Sequence, residues 1–60
     1  MDKLREMRLA LGLTQQQVAD ALNVTRTSVV FWEQGKAMPH VKHIKALATV
    51  LKCKVSDLLP

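Results

Sequence analysis

The chain has 60 residues, of which 48% are hydrophobic, and nine Lys and Arg against five Asp and Glu give a formal net charge of +4. This length predicts one domain over residues 1–60 and excludes a second. The single cysteine, Cys53, excludes an internal disulfide. No long apolar run follows the basic residues near the start, so we expect no signal peptide and no membrane span, and a cytoplasmic location.

The first predicted helix covers about residues 2 to 11. Its apolar residues recur at roughly helical spacing and are Leu4, Met7, Leu9 and Leu11. Gly12 follows, and glycine readily takes the left-handed conformation that ends a helix. We therefore expect the chain to turn at this glycine.

The second predicted helix runs from about residue 15 to 22. Thr14 and Gln17 have the spacing of a capping box, and Leu13 can pack on Val18 as a hydrophobic staple. Asn23 tolerates positive φ, so the chain can turn sharply after the helix. The turn before the next helix is then only about three residues long.

The third predicted helix runs from about residue 26 to 34, between the cap Thr25 and the stop Gly35. A small residue, Ala19, lets it cross the second helix closely. A fourth helix and a short fifth follow Pro39, as indicated by the apolar residues Val41, Ile44, Leu47, Ala48, Leu51, Val55, Leu58 and Leu59. The fold class is therefore all-α, a compact domain of five helices.

These helices carry a dense set of family motifs. The chain resembles the lambda-repressor-like, Cro/C1-type (XRE) helix-turn-helix family in Leu11-Gly12-Leu13-Thr14-Gln15, Val18-Ala19, Val24-Thr25, Ser28-Val29, Trp32-Glu33 and Gly35-Lys36. The resemblance implies a helix-turn-helix at about residues 15–34 whose third helix lies in the major groove of double-stranded DNA. The positive net charge agrees with a polyanionic partner.

The resemblance assigns base contacts to outward positions of the third helix: Arg26, Thr27, Val30 and Phe31. Arg26 is the leading base reader, through guanine N7 and O6, although its guanidinium could instead neutralise a phosphate. Val30 and Phe31 are apolar where the family is usually polar, which favours contacts to thymine methyls. The alternative for Phe31 is a place on the domain surface or in a protein interface.

Phosphate contacts are expected, by the same resemblance, from Gln15, Ser28, Lys36, His40 and Lys42. The alternatives are a plain helix-starting glutamine at Gln15 and a merely solvated basic face at the lysines. Arg8 and Glu33 match a charged pair that joins the first helix to the end of the third. Near the C-terminus the chain departs from the family, because Lys52 stands where glycine is usual and Lys54 where a Ser or Thr cap is usual.

The expected function is that of a transcription regulator, most often a repressor, acting as a homodimer on a near-palindromic operator. The dimer surface is assigned to Val55, Leu58 and Leu59, each of which could instead fill the monomer core. Two alternatives are an antitoxin that represses its own operon and a protein-interaction module without DNA readout. RNA polymerase or a toxin are further partners to consider.

Catalytic and metal sites are not expected. The sequence offers no catalytic triad, carboxylate dyad or phosphate-binding glycine loop, so we predict neither an enzyme nor a small-molecule substrate or cofactor. His40 and His43 lie three residues apart, but two ligands without a third make a poor metal site. Cys53 is interpreted as a core residue.

Overall fold

Five α-helices make up the part of the chain that the computed structural model describes, residues 1–59, and no strand occurs in that range. They are α1 (Asp2–Ala10), α2 (Gln15–Leu22), α3 (Arg26–Gln34), α4 (Val41–Val50) and α5 (Val55–Leu58). The prediction of an all-α fold is confirmed, and the predicted bounds of α2 and α3 agree with the observed ones. The longest helix has 10 residues, which is too short to cross a bilayer.

Local side-chain and backbone chemistry accounts for where α2 begins and ends. The Thr14 hydroxyl accepts the Gln17 backbone N–H at 3.0 Å, and the Gln17 side-chain oxygen accepts the Thr14 N–H at 2.8 Å, so the predicted capping box is present. Asn23 ends the helix in the left-handed conformation, with φ of 57°. Its φ allows the chain to reverse within the three residues that precede α3.

The ends of α3 and the start of α4 follow the same rules. The Thr25 hydroxyl accepts the Ser28 backbone N–H at 3.2 Å, and Gly35 ends α3 with φ of 75°. Nδ1 of His40 accepts the Lys42 backbone N–H at 3.2 Å. His40 therefore begins α4 as its N-cap, a role that the sequence analysis did not assign to it.

The core lies where α2 packs against α3 and α4, closed by α1 and α5. It is aliphatic apart from one tryptophan and consists of Leu4, Val18, Ala19, Leu22, Val29, Trp32, Ile44, Leu47, Ala48, Leu51 and Leu58. Ala19 is fully buried, which agrees with the small residue expected at the crossing of α2 and α3. The Trp32 ring lies 5.6 Å from the His43 ring and links α3 to α4.

The buried face of α1 does not contain all of the apolar residues from which the helix was predicted. Leu9 and Leu11 are 56% and 43% exposed, whereas Arg8 is buried beside Leu4. The reason is that α1 contacts α3 and α5 through the side that carries Leu4 and Arg8, four residues apart on one helix face. Apolar spacing alone could not distinguish this face from its neighbour.

The C-terminal turn shows the two departures seen in the sequence. Lys52 has φ of 57°, the left-handed conformation that glycine adopts without cost. Lys54 is the N-cap of α5 and makes no side-chain cap; instead its backbone N–H donates to Asp57 Oδ2 at 3.0 Å. Burial, with a contribution from Asp57, raises the pKa of the half-buried Cys53 thiol, which packs against the core.

Candidate nucleic-acid interface

The turn between α2 and α3 holds the two helices in a fixed relation. Backbone N–H groups of Asn23 and Val24 donate to Asp20 and Ala19 carbonyls at 3.2 and 3.0 Å, closing the end of α2. Val18 of α2 and Val29 of α3 are fully buried, and both belong to the hydrophobic core between the two helices. Helix α3 is thereby fixed along one side and leaves its other side uncovered.

The uncovered side of α3 carries most of the predicted base-contacting residues. Arg26 and Thr27 are exposed in its first turn, and Phe31 is 42% exposed one turn further on. Val30 differs, because it is half-buried and lines a groove next to Arg26. Two neighbouring stripes result, one through Arg26 and Val30 and one through Thr27 and Phe31.

An open groove runs between the end of α1, the start of α2 and the stripe of α3 that carries Arg26. Its lining residues include Arg5, Arg8, Gly12, Thr14, Gln15, Gln16, Arg26, Val30, Glu33 and Gln34. Glu33 is the one carboxylate in this lining, and Arg8 neutralises it. Arg5 and Arg26 therefore make the groove electropositive and suited to an anionic ligand.

Arg8 and Glu33 form a bidentate ion pair at the base of the groove. Arg8 Nε lies 2.6 Å from Glu33 Oε2, and its Nη2 donates to Oε1 at 3.0 Å. Nη1 donates to the Leu13 carbonyl at 2.9 Å, which ties the α1–α2 turn to the same guanidinium. Among residues 1–59 no buried side-chain polar atom lacks a hydrogen-bond partner, as a buried charge requires.

The pair changes the acidity of both members. Burial raises the pKa of the Glu33 carboxyl, but hydrogen bonds from Arg8 and Gln15 outweigh burial, and the net pKa is below its ordinary value. The hydrogen bond to Glu33 likewise raises the pKa of Arg8. Both groups are therefore charged at neutral pH.

Gln15 lies at the first position of α2 and reaches the same carboxylate. Its Nε2 donates to Glu33 Oε1 at 3.2 Å, so α1, α2 and α3 meet at one acid. Glu33 thus fixes the side-chain amide of Gln15 at the edge of the groove. This hydrogen bond gives Gln15 a structural role at the start of α2, and its phosphate contact stays a prediction.

The other predicted phosphate contacts lie on separate elements. Ser28 is half-buried in the first turn of α3, with its hydroxyl 3.1 Å from that of Thr25. Lys36 follows the end of α3, and His40 and Lys42 lie at the start of α4; all three are exposed. The two histidines are engaged separately, His40 with the Lys42 backbone and His43 with Trp32.

The predicted dimer surface needs a correction. Leu58 is 3% exposed and belongs to the monomer core, because α5 packs it against α1 and α4. Val55 is half-buried, and Leu59 is 42% exposed. Of the three residues, Leu59 is exposed and Val55 is partly exposed, so the predicted dimer surface is reduced to these two.

Sequence reasoning assigned no site role to several residues of the groove, among them the polar residues Arg5, Gln16 and Gln34. Arg5 is near enough to Glu33 for its charge to help lower the pKa of that acid. The available signal was spacing, since Arg5 lies one turn before Arg8 and Gln34 two turns after Arg26. The sequence does not show which face of each helix is covered, so this spacing alone could not predict that these side chains face the groove.

A capped pair of short helices with a basic groove beside its second helix defines a helix-turn-helix DNA-binding domain. The sequence model of the helix-turn-helix family matches residues 4–58, and the chain belongs to this family, in its Cro/C1 type. The prediction made from the sequence motifs is confirmed. The chain therefore carries a helix-turn-helix DNA-binding domain of this family, and its relatives are transcription regulators.

Several transcription regulators are similar to the chain over nearly its whole length. The HTH-type transcriptional activator BcrR of Enterococcus faecalis is 34% identical over 97% of this chain and 28% of its own length. An uncharacterized HTH-type transcriptional regulator of Archaeoglobus fulgidus is 34% identical over 93% of this chain and 80% of its own. The regulator DicA of Escherichia coli is 36% identical over 97% of this chain and 43% of its own.

The chain therefore spans less than half the length of BcrR and DicA and most of the archaeal regulator. The repressor RstR of the Vibrio cholerae phage CTXphi is 28% identical over 95% of this chain and 51% of its own length. No solved structure gives a significant match.

Proposed function

We propose that this protein represses transcription by binding a near-palindromic DNA operator as a homodimer, with α3 in the major groove. The observation that carries the proposal is the exposed first turn of α3. Arg26 and Thr27 project from a helix whose other side is anchored in the core by Val29 and Trp32. A major groove about 12 Å wide accepts one α-helix in this way.

Base reading is assigned to Arg26, Thr27, Val30 and Phe31. Arg26 can donate two hydrogen bonds to guanine N7 and O6, and its exposure leaves it able to do so. Val30 and Phe31 offer apolar surface and no hydrogen-bonding group, which suits the methyl groups of thymine. The proposed half-site therefore contains guanine and thymine.

Phosphate contacts are assigned to Gln15, Ser28, Lys36, His40 and Lys42. Gln15 supports this assignment best, because Glu33 holds its amide at the edge of the electropositive groove. His40 accepts a backbone N–H through Nδ1, so its neutral ring carries the proton on Nε2 and can donate it outward. These contacts would set the register of α3 on the duplex.

The homodimer is supported by the size of the domain. The backbone measures 23 × 23 × 18 Å, and side chains add several ångströms on each side. Two copies in contact would therefore lie about 30 Å apart, close to the 34 to 36 Å between half-sites on one face of DNA. Val55 in α5 and Leu59 directly after it are the apolar residues of this segment that are not buried in the core, and we assign the contact to them.

Repression follows from occupancy alone if the operator overlaps a promoter. The relatives include a repressor, RstR, and an activator, BcrR. Activation through RNA polymerase and an antitoxin role with a toxin partner are therefore the alternatives to be tested. The cytoplasmic location expected from the sequence stays a prediction.

Selection of bound sequences from random duplexes, followed by salt titration, tests the proposal. We expect a two-fold symmetric site, a specific-to-nonspecific affinity ratio above about a thousand, and a steep fall of affinity with salt. Sedimentation with and without the selected duplex gives the stoichiometry. Weak binding without sequence preference would refute DNA readout and favour the protein-interaction module, with Phe31 in its surface.

A further inference from the structure

Lys36 and Phe31 are joined at the end of α3 by two separate contacts. Gly35 leaves the helix in the left-handed conformation, and the next residue, Lys36, donates its backbone N–H to the Phe31 carbonyl at 2.9 Å. The Lys36 ammonium then lies 5.7 Å from the centroid of the Phe31 ring. This distance is within the range, about 6 Å, over which a cation is attracted to an aromatic face.

The contact lies outside the hydrophobic core. Phe31 is 42% exposed and does not belong to the core cluster, and Lys36 is exposed. Helix ends of this kind usually bring two apolar side chains together at these positions. Here the residue after Gly35 is Lys36, so the partner of the Phe31 ring is a solvent-exposed ammonium group instead of an apolar side chain.

We propose that Lys36 is a positioning residue for sequence reading, whose ammonium fixes the Phe31 ring against α3 in the orientation in which the ring contacts bases. The proposal rests on the proposed function, in which Phe31 contacts bases. An exposed phenylalanine without a partner exchanges between rotamers. Ordering it before DNA arrives removes part of the cost of binding.

The proposal distinguishes Lys36 from a lysine that only neutralises a phosphate. Loss of a phosphate contact weakens binding to all sequences alike. Loss of a positioning residue weakens binding most where the positioned ring contacts a base. Arginine at position 36 should preserve the effect, because a guanidinium also stacks on aromatic faces.

The experiment measures the affinity of the intact chain for its selected operator and for each single base-pair variant of it. Phe31→Leu first identifies the base pairs whose discrimination depends on the ring. Lys36→Gln should then reduce discrimination at those same base pairs by about two- to fivefold, and Lys36→Arg should restore it. Lys42→Gln, the matched control, should lower all affinities by one common factor. Thermal unfolding checks that every variant is folded.

A second measurement needs no DNA. The side-chain protons of Lys36 should show an upfield NMR shift from the Phe31 ring, and Phe31→Leu should abolish it. A uniform loss of affinity in Lys36→Gln, like that in Lys42→Gln, would overturn the positioning role. If the unaltered protein binds all duplexes alike, the proposed function itself fails, and this inference fails with it.

Discussion

The guanidinium of Arg8 and the carboxylate of Glu33, 25 residues apart in the chain, meet through two hydrogen bonds of 2.6 and 3.0 Å. Their side chains are 9% and 4% exposed, so both charges have given up most of their hydration. Gln15 and the Leu13 carbonyl complete the set of partners. This cluster fixes α1, the start of α2 and the end of α3 around the groove.

Removing the Glu33 charge should destabilise the domain strongly. Glu33→Gln leaves the buried Arg8 without its counter-ion, and we expect the free energy of unfolding to fall by about 3 kcal/mol. Urea unfolding at pH 7 measures this change. Glu6→Gln, at an exposed acid of the same helix as Arg8, is the control and should change stability by less than about 0.5 kcal/mol. Equal effects of the two variants would contradict the structural role of the pair.

The Glu33 carboxyl should also make stability fall in acid. Its pKa is lowered in the folded protein, so its contribution is fully present above the unfolded value of about 4.3 and is lost as the pH falls through the lower folded pKa. The stability difference between the unaltered chain and Glu33→Gln should therefore shrink below about pH 4. Thermal unfolding between pH 7 and pH 3 measures it, and a constant difference would argue against the lowered pKa.

Phe31 should contribute to base discrimination and little to stability. Phe31→Ala should leave the melting temperature nearly unchanged, because the ring is outside the core. Affinity for the selected operator should fall at least about fourfold, because burying one methyl group contributes about 0.8 kcal/mol to the binding free energy. Replacing the contacted thymine by deoxyuridine should weaken the unaltered protein similarly but not the variant. Unchanged operator affinity in Phe31→Ala would place the ring on a protein surface instead.

Arg5 should contact the DNA backbone although the sequence analysis did not assign it. It lines the groove beside Gln15, and Arg5→Gln should reduce the slope of log affinity against log salt by about 0.9. Lys3→Gln removes the same charge two residues earlier, about 200° around α1. This control should leave the slope unchanged, and identical slopes for both variants would exclude a backbone contact by Arg5.

Lys52 should be a site where glycine stabilises the protein. A non-glycine residue at φ of 57° costs about 1–2 kcal/mol, so Lys52→Gly should raise the free energy of unfolding by about 1 kcal/mol. Lys45→Gly removes the same charge from an exposed residue inside α4. It should destabilise the domain by about 1 kcal/mol, because glycine is unfavourable in a helix interior. Urea unfolding of both variants compares them, and the same sign of change in both would contradict the argument.

The helices and their order were predictable because their ends depend on contacts between residues close in sequence. Thr14 and Gln17 cap each other across three residues, and Asn23 and Gly35 reverse the chain through their own φ angles. The family motifs likewise rest on short spacings. Residue types and their neighbours therefore determined the all-α fold and the position of the helix-turn-helix.

Only the tertiary structure decided which side of each element is covered. Leu9 belongs to the apolar spacing that predicts α1 yet is exposed, whereas Arg8 is buried, because Glu33 of α3 lies beside it with a compensating charge. Leu58 entered the core for a similar reason, since α1 and α4 close over it. The groove beside α3, with Arg5 and Gln15 at its edge, exists only where three helices meet. Burial depends on partners distant in sequence, and a local pattern carries no information about them.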